Sequence, residues 1–267
     1  MKKIITDYEQ AAKALIKAKK IVISTGAGIS QESGIPTYRD GLTGQWAGHN
    51  PQYLETANAF RKNPQLVWGW YLWRRQQVAR AKPNAAHIAL NKMAGLGRKV
   101  SIITQNIDDL HERAGSEDVL HLHGCLATPK CFACHWPTIL PPDNLHISDF
   151  GALIEPPRCQ KCNGKLRPGV VWYGEDLPVG SWKSAMSLIK DCDVLISVGT
   201  SGIVSPASDL PDIAFGLYKT VIHVNTIDQG VGEYELNEIS LVGKATEVLT
   251  RLYSMMLKEA KRDENDL

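Results

Sequence analysis

The chain has 267 residues, 43% of them hydrophobic, enough for one large domain or a large domain carrying a smaller one. Its 30 Lys and Arg against 28 Asp and Glu give a formal charge of +2, and because the basic residues are spread along the chain they make no electrostatic case for nucleic acid. No apolar run approaches the roughly 18–20 residues that span a bilayer, and Asp7 and Glu9 interrupt any signal-peptide core after the opening lysines, so the expectation is a cytoplasmic protein that handles a small molecule or a peptide.

Residues 7–19 place Ala11, Ala12, Leu15 and Ile16 at helical spacing, and KIVIS (20–24) is a short β-branched run stopped by a glycine turn. That turn, STGAGIS (24–30), can present backbone N–H groups to a diphosphate. It meets only half of the dinucleotide fingerprint: Gly26 and Gly28 fit, but position 31 is Gln and no strand-ending acid follows about 20 residues later. A tight structural turn accounts for the same residues. The next stretch, QESGIPTYRDGLTGQW, is too polar and glycine-rich for a packing helix and reads as a long loop closing over a ligand. NPQLVWGWYLWRRQQVARA (63–81) predicts a helix with Pro64 near its start and Tyr71 and Arg74 three apart on one face. The strand signature returns in KVSIITQN (99–106), DVLISVGT (193–200) and TVIHVNT (220–226). Strands alternating with helices predict an α/β fold, a parallel sheet covered on both faces. Residues 36–83 and 127–166 break this rhythm and are expected to form a smaller second domain, leaving 1–35, 84–126 and 167–267 to the sheet domain. The polar tail KEAKRDENDL is expected to fray.

HLHGCLATPKCFACHW (121–136) concentrates histidine and cysteine. Cys131 and Cys134 form one C-x-x-C pair, and Cys159 and Cys162, separated from it by 24 residues, form another. In a reducing compartment such pairs point to metal before disulfide. Four thiolates suit tetrahedral zinc and leave no position for water, so the site should be structural. With that set complete, His135 has no vacancy to fill and should lie on the surface. His121 and His123 share one face of an extended segment, so spacing does not choose between them, although Gly124, by letting a ligand come close, favours His123. His49, His87, His111, His146 and His223 read as structural or solvated. VVWYGE (170–175) is extended and aromatic, suited to pair with an incoming peptide at an exposed edge.

Taken in order, GAGIS (26–30), SGIPTYR (33–39), TQNID (104–108), HG (123–124), the four cysteines, PGVVWYGE (168–175), GTS (199–201) and VN (224–225) resemble the sirtuin family of NAD-dependent protein deacylases. The resemblance implies a Rossmann-like large domain, an inserted zinc-binding and helical domain, and a cleft in which NAD meets an acyl-lysine peptide or protein. It implies His123 as catalytic base beside Asn106. NAD would be held by Gly26, Ala27, Gly28, Ile29, Ser30, Tyr38, Arg39, Gln105, Asn106, Asp108, Gly199, Thr200, Ser201, Asn225 and Ala245. Val171, Trp172, Tyr173, Gly174 and Glu175 would wall the acyl-lysine channel. The products implied are nicotinamide, free lysine and O-acyl-ADP-ribose.

Within the family the Tyr71/Arg74 pair resembles the branch that removes malonyl, succinyl and glutaryl groups, since Arg can grip a carboxylate with two parallel bonds. Three residues depart from the family pattern: Glu55 replaces a small residue near the pocket and, being charged, is expected to turn to solvent, while Tyr38 and Tyr173 replace phenylalanines. Two other readings keep parts of the pattern. An NAD hydrolase or ADP-ribosyltransferase on the same fold would need neither VVWYGE nor Tyr71 and Arg74, and a non-catalytic NAD or zinc-ribbon binding module would not need Asn106, Asp108 and His123.

Overall fold

The computed structural model describes residues 7–36, 51–140, 153–228 and 237–265. Helix α1 (Asp7–Lys17) has Asp7 and Glu9 in its first turn and Lys17 in its last, the arrangement its dipole favours, and it buries Ala11, Ala12 and Leu15. It leads into β1 (Lys20–Thr25), buried at every position but the first. With β2 (Lys99–Thr104), β3 (Val119–His121), β6 (Val194–Val198), β7 (Thr220–Asn225) and β8 (Glu238–Val242), β1 builds a six-stranded sheet of order β3-β2-β1-β6-β7-β8. Every pairing in it is parallel. The chain starts at the centre, winds out to β3 and returns to β6 on the other side of β1. Such a reversal leaves a crevice outside the carboxyl ends of the two central strands, where α/β folds bind ligands.

The strand period of two decides which helices cover which face. Ile21, Ile23, Ile196, Val198, Ile222 and Val224 pack with α1, α6 (Ala85–Ala94) and α10 (Ala245–Asn265), whereas Val22, Leu195 and Val221 face α8 (Val179–Asp191) and α9 (Leu210–Gly216). Helix α10 carries the expected tail into regular structure as far as Asn265. Lys, Glu, Ala and Arg are good helix formers, and that propensity outweighs the polarity from which fraying was expected.

A third apolar cluster lies around α5 (Pro64–Arg80). Asn63 caps this helix by accepting from the Leu66 N–H at 3.1 Å, and Pro64 occupies the first turn, where its missing N–H costs nothing. Every residue from Val67 to Arg74 is buried, so α5 is a central helix rather than one with a single apolar face. Packed on it are α4 (Ala57–Lys62), which follows α3 (Pro51–Leu54), and a short antiparallel pair, β4 (Lys130–Cys131) with β5 (Leu166–Arg167). Among the described residues no helix is long and apolar enough to cross a membrane.

Candidate active site and metal centre

The turn after β1 and the turn after β6 touch through glycines. Gly28 N–H donates to the Gly199 carbonyl at 3.0 Å, and a Cβ on Gly28 would stand 2.8 Å from Gly199 backbone atoms, so a side chain there would push the two turns apart. The two strands are adjacent, and this contact brings Gly26, Ala27, Gly28, Ile29 and Ser30 beside Gly199, Thr200 and Ser201 at the crevice. The turn after β1 opens into a four-residue helix, α2 (Gly28–Gln31), anchored by Ile29, which is fully buried in the core; of the stretch expected as a long loop, Gln31 ends this helix, 32–36 are turn and irregular backbone, and the rest lies outside the described residues. Asn225 ends β7 and donates from Nδ2 to the Thr200 carbonyl at 2.9 Å, and its own carbonyl accepts from Gly243 N–H at 2.8 Å. Ala245 follows at the start of α10. Tyr38 and Arg39 lie outside the described residues, as do His49 and His146.

Beyond β2 the chain sets out Gln105, Asn106 and Asp108 in sequence. Asn106 Nδ2 donates to Ser30 Oγ at 3.1 Å, and Ser30 Oγ donates to Asp108 Oδ2 at 3.0 Å. Asp108 Oδ1 accepts from the N–H of Leu110, the first residue of α7 (Leu110–Arg113), at 3.1 Å. Burial pushes the Asp108 pKa up, with the Leu110 and Ser30 bonds opposing. The Nε2 group of Gln105 is buried without a partner among the described residues. A buried amide donor left unpaired is costly, and a ribose hydroxyl or carboxamide oxygen would satisfy it, so the donor set of the crevice fits NAD.

Two histidines stand on consecutive carbonyls, and their second nitrogens tell them apart. His123 Nδ1 lies 3.0 Å from the Gln105 carbonyl oxygen and His121 Nδ1 3.1 Å from that of Asn106. A carbonyl only accepts, so both Nδ1 atoms carry protons. His121 Nε2 lies 2.7 Å from Glu112 Oε1, a carboxylate that draws a proton to this nitrogen too and favours the imidazolium. Burial lowers the His121 pKa, but the Glu112 hydrogen bond and charge outweigh it and the net direction is up. His123 Nε2 has no partner among the described residues, and burial lowers the pKa of this ring against the Gln105 bond. His123 therefore keeps a basic lone pair at neutral pH, and His121 has none to offer. Gly124 acts differently from the expectation. Its φ is 74°, and a Cβ there would meet the Gly169 carbonyl oxygen at 2.1 Å, so it makes room for the chain at 169–170 rather than for a ligand.

Below these groups runs a polar chain that the sequence motifs did not indicate. His111 Nε2 is 3.0 Å from Thr25 Oγ1, which donates to Thr104 Oγ1 at 2.8 Å, and Thr104 Oγ1 accepts from Asn106 N–H at 3.0 Å. His111 is 1% exposed and lies tilted against the fully buried His87 with ring centroids 4.9 Å apart. Burial lowers the His87 pKa to about 4; for His111, burial and then the neighbouring His87 lower it to about 3. Both are structural, as expected, and so is His223, which pairs with Glu238 at 2.8 Å.

Residues 170–175 do not form a strand. Val170 bridges Gly124, after which the chain turns at Tyr173 and Gly174, and Glu175 N–H returns to the Trp172 carbonyl at 3.0 Å. The turn prevails because the Glu175 carboxylate is drawn inward to Arg167 and to the Trp172 N–H. Burial would raise the Glu175 pKa, but these bonds prevail and hold it below the usual carboxylate range. Val171 N–H donates to the His123 carbonyl at 2.8 Å, and Trp172 Nε1 donates to the Tyr71 hydroxyl at 2.8 Å, joining the segment to the stretch just past β3 and to α5. Arg74 is 8% exposed, its Nε is unpartnered among the described residues, and its guanidinium lies 5.9 Å from the Trp70 ring centroid. Glu55, expected in solvent, is 5% exposed, and its carbonyl accepts from Tyr173 N–H at 2.9 Å, a bond that draws this stretch of backbone inward.

The four cysteines converge. All four Sγ atoms of Cys131, Cys134, Cys159 and Cys162 lie within 4.8 Å of one another, with Cys131 to Cys162 at 3.5 Å and Cys134 to Cys159 at 3.8 Å. Zinc–sulfur bonds of about 2.3 Å in a tetrahedron put sulfurs about 3.8 Å apart, so the set fits zinc. The two pairs repeat one turn: His135 N–H returns to the Cys131 carbonyl at 3.1 Å and Asn163 N–H to the Cys159 carbonyl at 2.9 Å, with φ of 57° and 58°. His135 is exposed and outside the thiol set.

The family model described as the Sir2 family matches residues 26–206. A protein named NAD-dependent protein deacylase 4 from Pseudomonas syringae pv. tomato is 62% identical over 254 residues, which cover 95% of this chain and 98% of that one. Among solved structures, the complex of a Sir2 homologue with NAD is 38% identical with a TM-score of 0.82, covering 94% of each chain. A complex of Sir2 with a p53 peptide and NAD is 30% identical with a TM-score of 0.75, covering 91% of this chain and 95% of that one.

Proposed function

The chain belongs to the Sir2 family and is an NAD-dependent protein deacylase, and from that premise we propose that His123 is its general base, that Gln105, Asn106 and the turns at 26–30 and 199–201 receive NAD, and that succinyl- or malonyl-lysine is preferred to acetyl-lysine. The observation that carries the reading is the contrast between the two imidazoles. His121 has both nitrogens facing acceptors, whereas His123 is half-buried, oriented through Nδ1 and basic at Nε2.

NAD supplies a ribose carbon activated by loss of nicotinamide and the hydroxyls onto which the acyl group passes. The chain's own part is to bind, orient and move one proton. Gln105 fixes the His123 ring through its carbonyl and offers its unpaired Nε2 to a ribose or carboxamide oxygen. Asn106 donates its side-chain amide to Ser30 Oγ and its backbone N–H to Thr104 Oγ1 below it, which fixes both the residue and its amide in place. His123 Nε2 takes the proton from a ribose hydroxyl, a role worth about 10²–10⁴ in rate for a well-placed base. Tyr71, Trp172 and Tyr173 line the way in for the acyl-lysine chain. Arg74 would meet the terminal carboxylate of an acidic acyl group. The divided sheet domain and the inserted residues 36–83 and 127–166 are taken as the two lobes between which these ligands meet.

Nicotinamide release is measured with NAD and acetyl-, succinyl- or unmodified peptide in parallel, for the native chain, His123→Ala and His121→Ala. Peptide-dependent release that His123→Ala abolishes while NAD still binds is the expected result, with His121→Ala milder and less stable. Loss of turnover in a folded His121→Ala with His123→Ala active would reverse the assignment, and release that ignores the peptide would favour an NAD hydrolase.

A further inference from the structure

Arg167 ends β5 immediately before PGVVWYGE, and it is 1% exposed. A buried guanidinium is tolerated only when its donors are met, and the partners of this one all lie in the eight residues that follow it. Nε donates to the Pro168 carbonyl at 3.3 Å, and Nη2 donates to the Val170 carbonyl at 2.9 Å and to Glu175 Oε2 at 3.0 Å. Nη1 donates to Glu175 Oε1, and the guanidinium carbon sits 3.3 Å from the centroid of the Trp172 ring. The Trp172 N–H adds a 3.0 Å bond to the same Glu175 oxygen that Nη2 holds. The segment 168–175 is thus wrapped around one cation, whose planar fork takes the two carboxylate oxygens while its face covers an indole. An ammonium has neither the fork nor the face.

The same segment points its remaining bonds outward. Val171 N–H reaches the His123 carbonyl, Tyr173 N–H the Glu55 carbonyl, and Trp172 Nε1 the Tyr71 hydroxyl. Each outward bond leads to a different part of the site: the stretch just past β3, the stretch before α4, and α5. We propose that Arg167, with Glu175, is the positioning pair of the acyl-lysine wall, folding residues 170–175 from within so that their backbone meets His123 on one side and Glu55 on the other. The inference rests on the reading of 171–175 as the substrate wall and His123 as the base. It differs from a purely stabilising ion pair in what should change. Releasing the segment should loosen the acyl-lysine channel while leaving the glycine turns at β1 and β6, and hence NAD binding, as they are.

The full-length zinc-loaded chain is compared with Arg167→Met, Arg167→Lys, Glu175→Gln and the Arg167→Met/Glu175→Gln double variant. KM for an acyl peptide, KM for NAD, zinc content, Tm and amide hydrogen exchange are measured on each. Arg167→Met is expected to raise the peptide KM about tenfold, the size of losing a charge-assisted contact, with the NAD KM and zinc content held. Exchange at Val171, Trp172 and Tyr173 quickens while β1 and β6 stay protected. Lysine does not rescue, and the double variant is no worse than Arg167→Met because the two side chains act as one unit. Should Arg167→Met lose zinc and unfold, Glu175→Gln, nearly isosteric, carries the same split. Peptide and NAD KM rising together with a fall in Tm, unchanged exchange at 171–173, or full rescue by lysine would overturn the proposal. A native chain that binds NAD but ignores every acyl peptide would instead overturn the reading of the wall itself.

Discussion

At the carboxyl edge of the sheet, Gln105 and Asn106 follow Thr104 directly, His123 stands two residues past β3, and Gly199 comes straight after Val198. Parallel pairing sets Thr25 level with Thr104 and Val198, so strand register alone brings these side chains to one crevice. Around α5 the only ladder among the described residues is the two-residue pairing of β4 with β5, and positions are fixed by side chains: four thiols, the Arg167–Glu175 pair, and Trp172 on Tyr71. A site placed by register inherits the stability of the whole sheet. A site placed by side chains depends on each of its few fastenings, and the two halves should therefore fail under different insults.

Metal removal should separate them most. Structural zinc binds small peptides with apparent energies of about 10–16 kcal/mol, as large as the stability of an ordinary domain at about 5–15 kcal/mol. Chelation, or Cys131→Ser, is expected to expose amides of 126–140 and 153–172 to hydrogen exchange and to abolish peptide turnover. Strands β1, β2 and β6 should remain protected. A metal-free chain with its β4–β5 hairpin still protected and full activity would remove the structural role of the cysteines.

Acid should invert the order. His87 and His111 are held neutral by burial, their pKa values down from 6.5 to about 4 and about 3. The unfolded chain takes up protons below about pH 6.5 that the folded chain refuses, so stability is present above that pH and falls toward the folded values. Each histidine costs about 1.4 kcal/mol per pH unit in that window, roughly 2–3 kcal/mol together. His121, whose pKa is raised, gives its contribution in full below 6.5 and adds no slope there, while Asp108, also raised, offsets part of the loss as pH approaches 3.8. Glu175 is depressed, so its contribution persists until pH falls below about the usual carboxylate value of 4.5. Denaturation followed from pH 7 to 5 should thus report the sheet edge through His87 and His111, and His87→Asn/His111→Asn should flatten it. A stability profile with no slope between pH 6.5 and 5 would show that those rings are not buried neutral in solution.

How much of this could be read from the sequence follows the same division. The central strands announced themselves through β-branched runs, and a motif placed just past a strand end is nearly a coordinate, which is why GAGIS, TQNID and HG located the crevice. C-x-x-C spacing did as much for the metal. The difference between the His121 and His123 rings comes from Glu112, which is close in sequence but carries no motif. Glu175 stands among the residues read from the motif, but its pairing with Arg167 escapes because a pair eight residues apart across a turn has no period to betray it. VVWYGE has the composition of an extended edge, but the chain turns at Tyr173 and Gly174 because Glu175 reaches back to Arg167 and Trp172, a tertiary choice that overrides propensity. Glu55 was expected in solvent because charge usually predicts exposure. Here the backbone bond from Tyr173 draws it in.

The smallest expected effect concerns the acyl group, and it tests whether the side-chain-built half also selects the substrate. Arg74 is buried on α5 with Nε unpartnered among the described residues, and Tyr71, one turn earlier, is oriented by Trp172. A terminal carboxylate reaching Arg74 would form a charge-assisted contact of about 1.5–3 kcal/mol, roughly tenfold or more in discrimination. Buried Glu55 pulls the other way, because a carboxylate enclosed near the same channel repels an anionic acyl group. Arg74 is expected to decide, since a guanidinium can hold a carboxylate through two parallel hydrogen bonds. Succinyl- or malonyl-lysine is therefore expected to show a higher kcat/KM than acetyl-lysine in competition between otherwise identical peptides at matched NAD. Arg74→Met should narrow or invert that ratio, and Glu55→Ala should leave it unchanged or widen it. Equal or better use of acetyl-lysine by the native chain, with Arg74→Met without effect on the ratio, would reduce Arg74 to a packing residue of α5 and confine substrate choice to the wall that Arg167 folds.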